Sequence, residues 1–175
     1  MSVLQVPSTK SQIPRPQIPN PKSQIELLTV GWREWLALPE LGLLAIEAKV
    51  DTGAATSALH AEDIEPFERG GQPFVRFRTQ PIIDVDVVCE APVVDQREVA
   101  ASSGHAEVRF VVSTMLQLGV RSDAPSWPIE LTLADRATMQ LPMLLGREAM
   151  AGRIAVDPAI LYNRGSLGKP EDFYR

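Results

Sequence analysis

Between Ile25 and Pro158 apolar and polar residues alternate in short stretches, each closed by glycine, proline or a polar pair. Period-two alternation puts successive side chains on opposite faces of a strand, so this stretch of chain is confined to β-structure. The segments 25–38 and 43–51 flank Pro39 to Gly42, which reads as a hairpin connection. Further strands are expected at 72–79, 82–90, 106–118, 127–135, 139–146 and 153–157, with turns at Gly70-Gly71 and Ser103-Gly104. Short strands at this spacing make a barrel or a sandwich. Helix is expected only as a turn or two within 57–63 and as a short element at 147–152, ended by Gly152.

The flanks differ from this middle. In residues 1–24, Pro7, Pro14, Pro16, Pro19 and Pro21 alternate with Ser, Gln and Lys, and the first acid is Glu26. Such a stretch buries too little apolar surface to offset its ordering entropy and reads as a flexible tail. A domain over 25–158 follows, then a carboxyl-terminal tail, 159–175, with little periodicity, from which Leu161 and Tyr162 can dock on the core. With 175 residues the chain suits one domain with a sizeable core. Its net charge of -5 argues against general nucleic-acid binding. No apolar run approaches the ~20 residues of a membrane-spanning helix, and the amino terminus lacks the apolar core of a signal peptide. A single cysteine, Cys89, excludes an internal disulfide and fits a reducing cytoplasm. It lies in the apolar run 85–94 and reads as a small buried residue.

One segment asks for more than a fold. In 46-IEAKVDTGAATSALHA-61 an apolar strand closes at Val50 and opens into Asp51, Thr52 and Gly53. The hydroxyl of Thr52 can lock a loop, Gly53 allows close backbone approach, and Ala54 and Ala55 keep the rim free of bulk. An Asx-type turn between two strands accounts for the same letters, and so does a carboxylate held out for chemistry. Some ninety residues on, 141-LPMLLGREAM-150 carries an apolar run into Gly146 and then a short helix.

Together the strand with Asp51-Thr52-Gly53 and the later Leu144-Leu145-Gly146 before a helix resemble the aspartic peptidases of the retropepsin type. The phrases 30–42, 49–67, 141–150 and 153–158 look like a bacterial family that carries the name ATP-dependent zinc protease. The resemblance covers about residues 27 to 158. It implies an all-β, retropepsin-like closed barrel with one short carboxyl-terminal helix, in which the segment ending at Gly146 buttresses the acidic loop. It also implies a neighbouring ATP-grasp ligase that adds glutamates to a ribosomal protein. Ala55 departs from the family, which is expected to carry a basic residue there.

The family name does not describe chemistry that these residues can perform. Zinc needs three or four spaced ligands, and the chain has only His60 and His105, with no His-Glu-x-x-His. No phosphate-binding glycine loop ending in Lys-Ser or Lys-Thr is present either. The expectation is therefore an aspartic endopeptidase without metal or cofactor. Asp51, Thr52 and Gly53 would be catalytic, and Ala54, Ala55 and Gly146 would line the substrate. Aspartic catalysis needs two carboxyls, so the second comes either from Asp51 of a second copy, in a homodimer, or from Asp84, Asp86 or Asp157. Expected partners are a peptide or protein substrate and the ligase or ribosomal protein. A silent, peptide-binding domain of the same fold is the competing reading. Gly70-Gly71 and Ser103-Gly104 are both candidate tips of a hairpin over the groove.

Overall fold

The computed structural model describes residues 26–100, 106–135 and 140–175. The expected tail at 1–24, the Ser103-Gly104 turn and His105 lie outside them. In chain order the strands are β1 (Leu28–Val30), β2 (Arg33–Leu38), β3 (Leu43–Asp51), β4 (Ser57–His60), β5 (Glu62–Arg69), β6 (Gln72–Ile82), β7 (Val85–Ala100), β8 (Ala106–Gln117), β9 (Ser126–Ala134), β10 (Met143–Gly146) and β11 (Ile154–Val156). One α-helix, α1 (Arg147–Met150), follows β10, and Gly152, at φ 71°, turns the chain away after it.

The all-β expectation holds. The strands β2, β3, β10, β4, β9 and β8 are paired in that order, and Ala37 of β2 pairs with Gln117 of β8 to close the ring. Glu40 reinforces that seam by accepting the Met115 backbone N–H at 2.9 Å. Beyond β8 the sheet continues through β7, β6 and β5, whose inner face folds back so that Val75, Phe77, Cys89 and Ala91 join the ring's core. Alternation in β3 shows why the ring forms: Ile46, Ala48 and Val50 are buried, whereas Glu47, Lys49 and Asp51 face outward. The buried face is almost wholly aliphatic, with Leu36, Leu38, Leu59, Leu131, Leu133, Met143 and Leu145 fully enclosed.

Three elements differ from the sequence expectation. The segment 57–63 is not helical: Ser57 to His60 form β4, all buried, and Glu62 starts β5. Burial on both faces removes the polar alternation that would mark a strand. The segment 25–38 is two strands, because at Gly31 the chain presses against the Ile160 carbonyl, where a Cβ would sit 2.3 Å from the oxygen. Before this break β1 pairs in parallel with β11, outside the ring. Finally, β7 begins at Val85 and runs on to Ala100, past Pro92, and the turn before it at Ile83-Asp84 is a hairpin tip in its own right.

Residues 158–164 lie along the start of β2. The Ile160 carbonyl accepts from Trp32, Tyr162 donates its backbone N–H to Arg33, and the Tyr162 ring packs 6.4 Å from Trp35, while Leu161 stays exposed. Their anchor is Glu34, a fully buried carboxylate that accepts backbone N–H bonds from Gly31 (2.6 Å), Asn163 (2.9 Å) and Arg164 (3.1 Å). A buried charge is tolerated only when hydrogen-bonded, and here backbone amides supply the partners. Further on, Tyr174 donates to the Ala45 carbonyl and accepts its N–H, so the segment reaches β3 as well.

Glu34→Ala removes the acceptor of one buried and two part-buried amides and should destabilise the fold by roughly 2–4 kcal/mol. Urea denaturation measures this, and an unchanged midpoint would show that the anchor contributes nothing.

Candidate active site

Asp51 is the last residue of β3 and the first of a tight loop. Its Oδ1 accepts the Gly53 backbone N–H at 3.0 Å, and the Ala54 N–H returns to the Asp51 carbonyl at 3.3 Å. This is the Asx-type turn, and it leaves the carboxylate pointing outward, with a quarter of the side chain exposed. The other oxygen, Oδ2, accepts from Lys49 Nζ at 3.0 Å. Gly53 fits closely, since a Cβ there would approach Asp51 Oδ1 to 3.2 Å. Thr52 and Gly53 are exposed at the loop's crest, and Ala54 and Ala55 are half-buried on its flank.

The loop is held from behind by β10, which threads between β3 and β4. It runs parallel to β3, with Leu145 opposite Val50 and Gly146 opposite Asp51, and antiparallel to β4. Gly146 is buried against the loop: a Cβ would lie 2.4 Å from the Thr56 carbonyl oxygen and 2.9 Å from that of Ala55. Only glycine lets the two backbones come this close. The Gly146 N–H donates to Ser57 Oγ at 3.0 Å. The chain then enters α1, whose first amides would otherwise lack acceptors. The loop provides them, as Arg147 N–H donates to the Ala54 carbonyl (2.9 Å) and Glu148 N–H to that of Ala55 (3.1 Å). The Arg147 guanidinium adds a bond to the Gly53 carbonyl at 3.1 Å. Gly146 therefore shapes the site through the loop it supports.

Of the other acids weighed from sequence, two are bonded elsewhere and the third lies at a distance. Asp86 accepts from Arg78 at 3.0 Å, in a cluster with Asp63 and Glu62. Asp157 caps its own turn by accepting the Ala159 N–H at 2.9 Å. Asp84 occupies the β6–β7 tip at φ 62° and lines a groove of about 760 Å³ with His60, Gln140 and Pro142, near the start of β10. Asp51 is at the opposite end of that strand.

The bond from Lys49 holds the Asp51 carboxyl below its ordinary range, opposed by partial burial and aided by the Gly53 amide. A depressed value means that Asp51 adds stability above its unfolded pKa, and that this is lost as pH falls through the folded one. His60 is buried, with Nε2 3.3 Å from Glu62 and Nδ1 3.9 Å from Asp135. Among the described residues no group of three or more His, Cys, Asp or Glu is placed to hold a metal ion. Cys89 donates to the Leu41 carbonyl at 3.2 Å, and burial pushes its thiol up to about 12.

Lys49, Ser57 and Arg147 were not singled out from sequence. Lys49 had a signal, since residues two apart on a strand share a face. Ser57 and Arg147 act through contacts about ninety residues away in sequence, which no local pattern displays.

Comparison with known proteins places the fold in a family. Residues 29–166 match the RimB-like family model, described as retropepsin-like aspartic endopeptidase RimB. The chain belongs to the RimB-like family. A Parasynechococcus marenigrum protein named "Probable alpha-L-glutamate ligase" is 49% identical to this RimB-like chain over 143 residues. A Desulfotalea psychrophila protein of the same name is 46% identical over 143 residues. Each alignment covers 80% of this chain and 30% of the relative, so the chain spans under a third of their length. A Legionella pneumophila protein of unknown function, with a DUF785 domain, has a crystal structure that superimposes with a TM-score of 0.66 at 30% identity. That match covers 78% of this chain and 98% of the Legionella one. No helix among the described residues is long and apolar enough to cross a membrane.

Gly146→Ala forces the Thr56 carbonyl aside and should cost roughly 1–3 kcal/mol while loosening the Asp51 loop. Thermal denaturation together with amide exchange at 52–56 reads both effects; a variant with wild-type values in both would remove the brace from the account.

Proposed function

We propose that this chain is one subunit of a homodimeric aspartic endopeptidase, with Asp51 of each copy supplying half of the catalytic pair. The observation that carries the reading is Asp51 itself: a carboxylate fixed by its own loop, braced by β10 and turned outward, while Asp86 and Asp157 are bonded elsewhere and Asp84 lies at the far end of β10. The acid that completes the pair then comes from a second copy across a twofold axis. The exposed crest at Thr52 and Gly53 suits such an approach, since neither residue carries bulk that would hold the loops apart.

In the paired site the two carboxyls share one proton, because neighbouring like charges resist ionising together. The ionised member draws a proton from a water as that water attacks the scissile carbonyl carbon. The protonated member donates its hydrogen to the carbonyl oxygen, giving a tetrahedral diol. Collapse of the diol breaks the C–N bond as a proton passes to the leaving amine. The substrate is a peptide or protein. The names of the longer relatives support a working partnership with a glutamate ligase, and a glutamate-tailed ribosomal protein is the substrate we would test first.

A second reading, a silent peptide-binding domain, is favoured by Ala55, which offers no charge at the rim where a basic residue was expected. One experiment separates the two. Asp51→Asn should lower peptide cleavage at least ~100-fold, the scale of a lost general acid–base, while the fold is kept and the denaturation midpoint drops only slightly, through loss of the exposed Lys49 contact. Equal cleavage by the variant on a verified substrate removes Asp51 from the mechanism. Sedimentation tests the assembly: activity should fall as the dimer dissociates, and a fully active monomer would exclude the shared pair.

A further inference from the structure

The outward face of β3 carries Glu47, Lys49 and Asp51 in alternation, so Lys49 stands between two acids and can serve either. The neighbouring elements decide which. Arg33, opposite Lys49 in the β2–β3 register, turns its guanidinium onto Glu47 instead, with Nη2 2.6 Å from Oε2. Tyr162 donates its hydroxyl to Glu47 from the other side. Glu47 is thereby satisfied by β2 and the carboxyl-terminal segment, and Lys49 goes to Asp51 Oδ2 at 3.0 Å. From α1, Arg147 faces the same loop, but its guanidinium is bonded to the Gly53 carbonyl, and the Glu148 side chain is exposed. The facing residues Leu145 and Gly146 of β10, and Ser57 of β4, bring no ionisable group.

We propose that Lys49 is a positioning residue of this site: its ammonium fixes the carboxylate oxygen that the loop leaves free and sets how acidic the medium must be before the Asp51 pair takes up its shared proton. The second half of this statement rests on the peptidase reading; the first does not. The loop alone restrains only Oδ1, through the Gly53 amide, and rotation about the carboxylate's own axis is stopped by the second contact. Electrostatically, two facing carboxylates favour retention of a proton, and a cation beside each favours its loss. The interval in which one proton is shared therefore moves toward acid when both lysines are present. The contact is solvent-exposed at Lys49, half of whose side chain is accessible, so it tunes the pair and does not hold the fold together.

Lys49→Met and Lys49→Arg test this in the full chain, each with three measurements. Carbon-detected NMR titration of the Asp51 carboxyl should show its midpoint moving upward in Lys49→Met and staying near wild type in Lys49→Arg. Both limbs of the kcat/KM pH profile should move upward in Lys49→Met, with Lys49→Arg again retaining the wild-type profile. Denaturation midpoints should differ little among the three, with Lys49→Met lowered only by the small contribution of an exposed ion pair. An Asp51 titration unchanged in Lys49→Met, or an arginine variant that behaves like the methionine one, would overturn the proposal. If the wild-type chain cleaves no peptide, the titration alone decides the role of Lys49, and the peptidase reading fails separately.

Discussion

Gly146 sits with its α-carbon turned onto the carbonyl oxygens of Ala55 and Thr56, where any side chain would collide. That contact sets the position of everything nearby. It lets β10 pass between β3 and β4, bonded to both, so the loop carrying Asp51 is backed by regular sheet. It also brings the start of α1 onto the loop, whose carbonyls become the acceptors for the helix's first amides. Two backbone needs are met by one arrangement: a loop with free acceptors and a helix with free donors close on each other. A carboxylate mounted this way loses little further freedom when it meets water or substrate, which is what acid–base chemistry asks of its support.

A second set of contacts works from the outer surface. The buried Glu34 collects backbone amides from Gly31, Asn163 and Arg164, and the segment anchored there brings Tyr162 over β3. Tyr162 and Arg33 together occupy Glu47, which assigns Lys49 to Asp51. The carboxyl-terminal segment is thus linked to the electrostatics of a loop that it does not touch through any of these bonds. The coupling passes through these particular bonds, and at Lys49 it decides between two acids.

The fold was legible where local pattern and local structure coincide. Alternation in β3, β6, β8 and β9, the Pro39–Gly42 connection and the short helix after Gly146 all have their physical cause within a few residues. The errors fall where the cause is distant. Ser57 to His60 are all buried, with α1 and β6, neither of them adjacent in sequence, packed near β4, and that environment erases the alternation. The break at Gly31 is imposed by Ile160, more than a hundred residues on. For the site, Asp51, Thr52, Gly53 and Gly146 stood out as an elbow and its counterpart. Reading that counterpart as a buttress depended on a family resemblance, because spacing in sequence does not reveal that β10 lies between β3 and β4. Lys49 was visible in principle, but its choice between Glu47 and Asp51 is made by Arg33 and Tyr162, and only three-dimensional placement settles it.

The central claim is that the outward-facing carboxylate of one chain meets the same group of another. Crystallography of the assembly formed under cleaving conditions measures this directly, as the separation of the two Asp51 carboxylates. The account predicts two carboxylates related by a twofold axis and about 3 Å apart, close enough to share a proton. A cleaving assembly in which Asp51 faces solvent, with no second acid within reach, would contradict it.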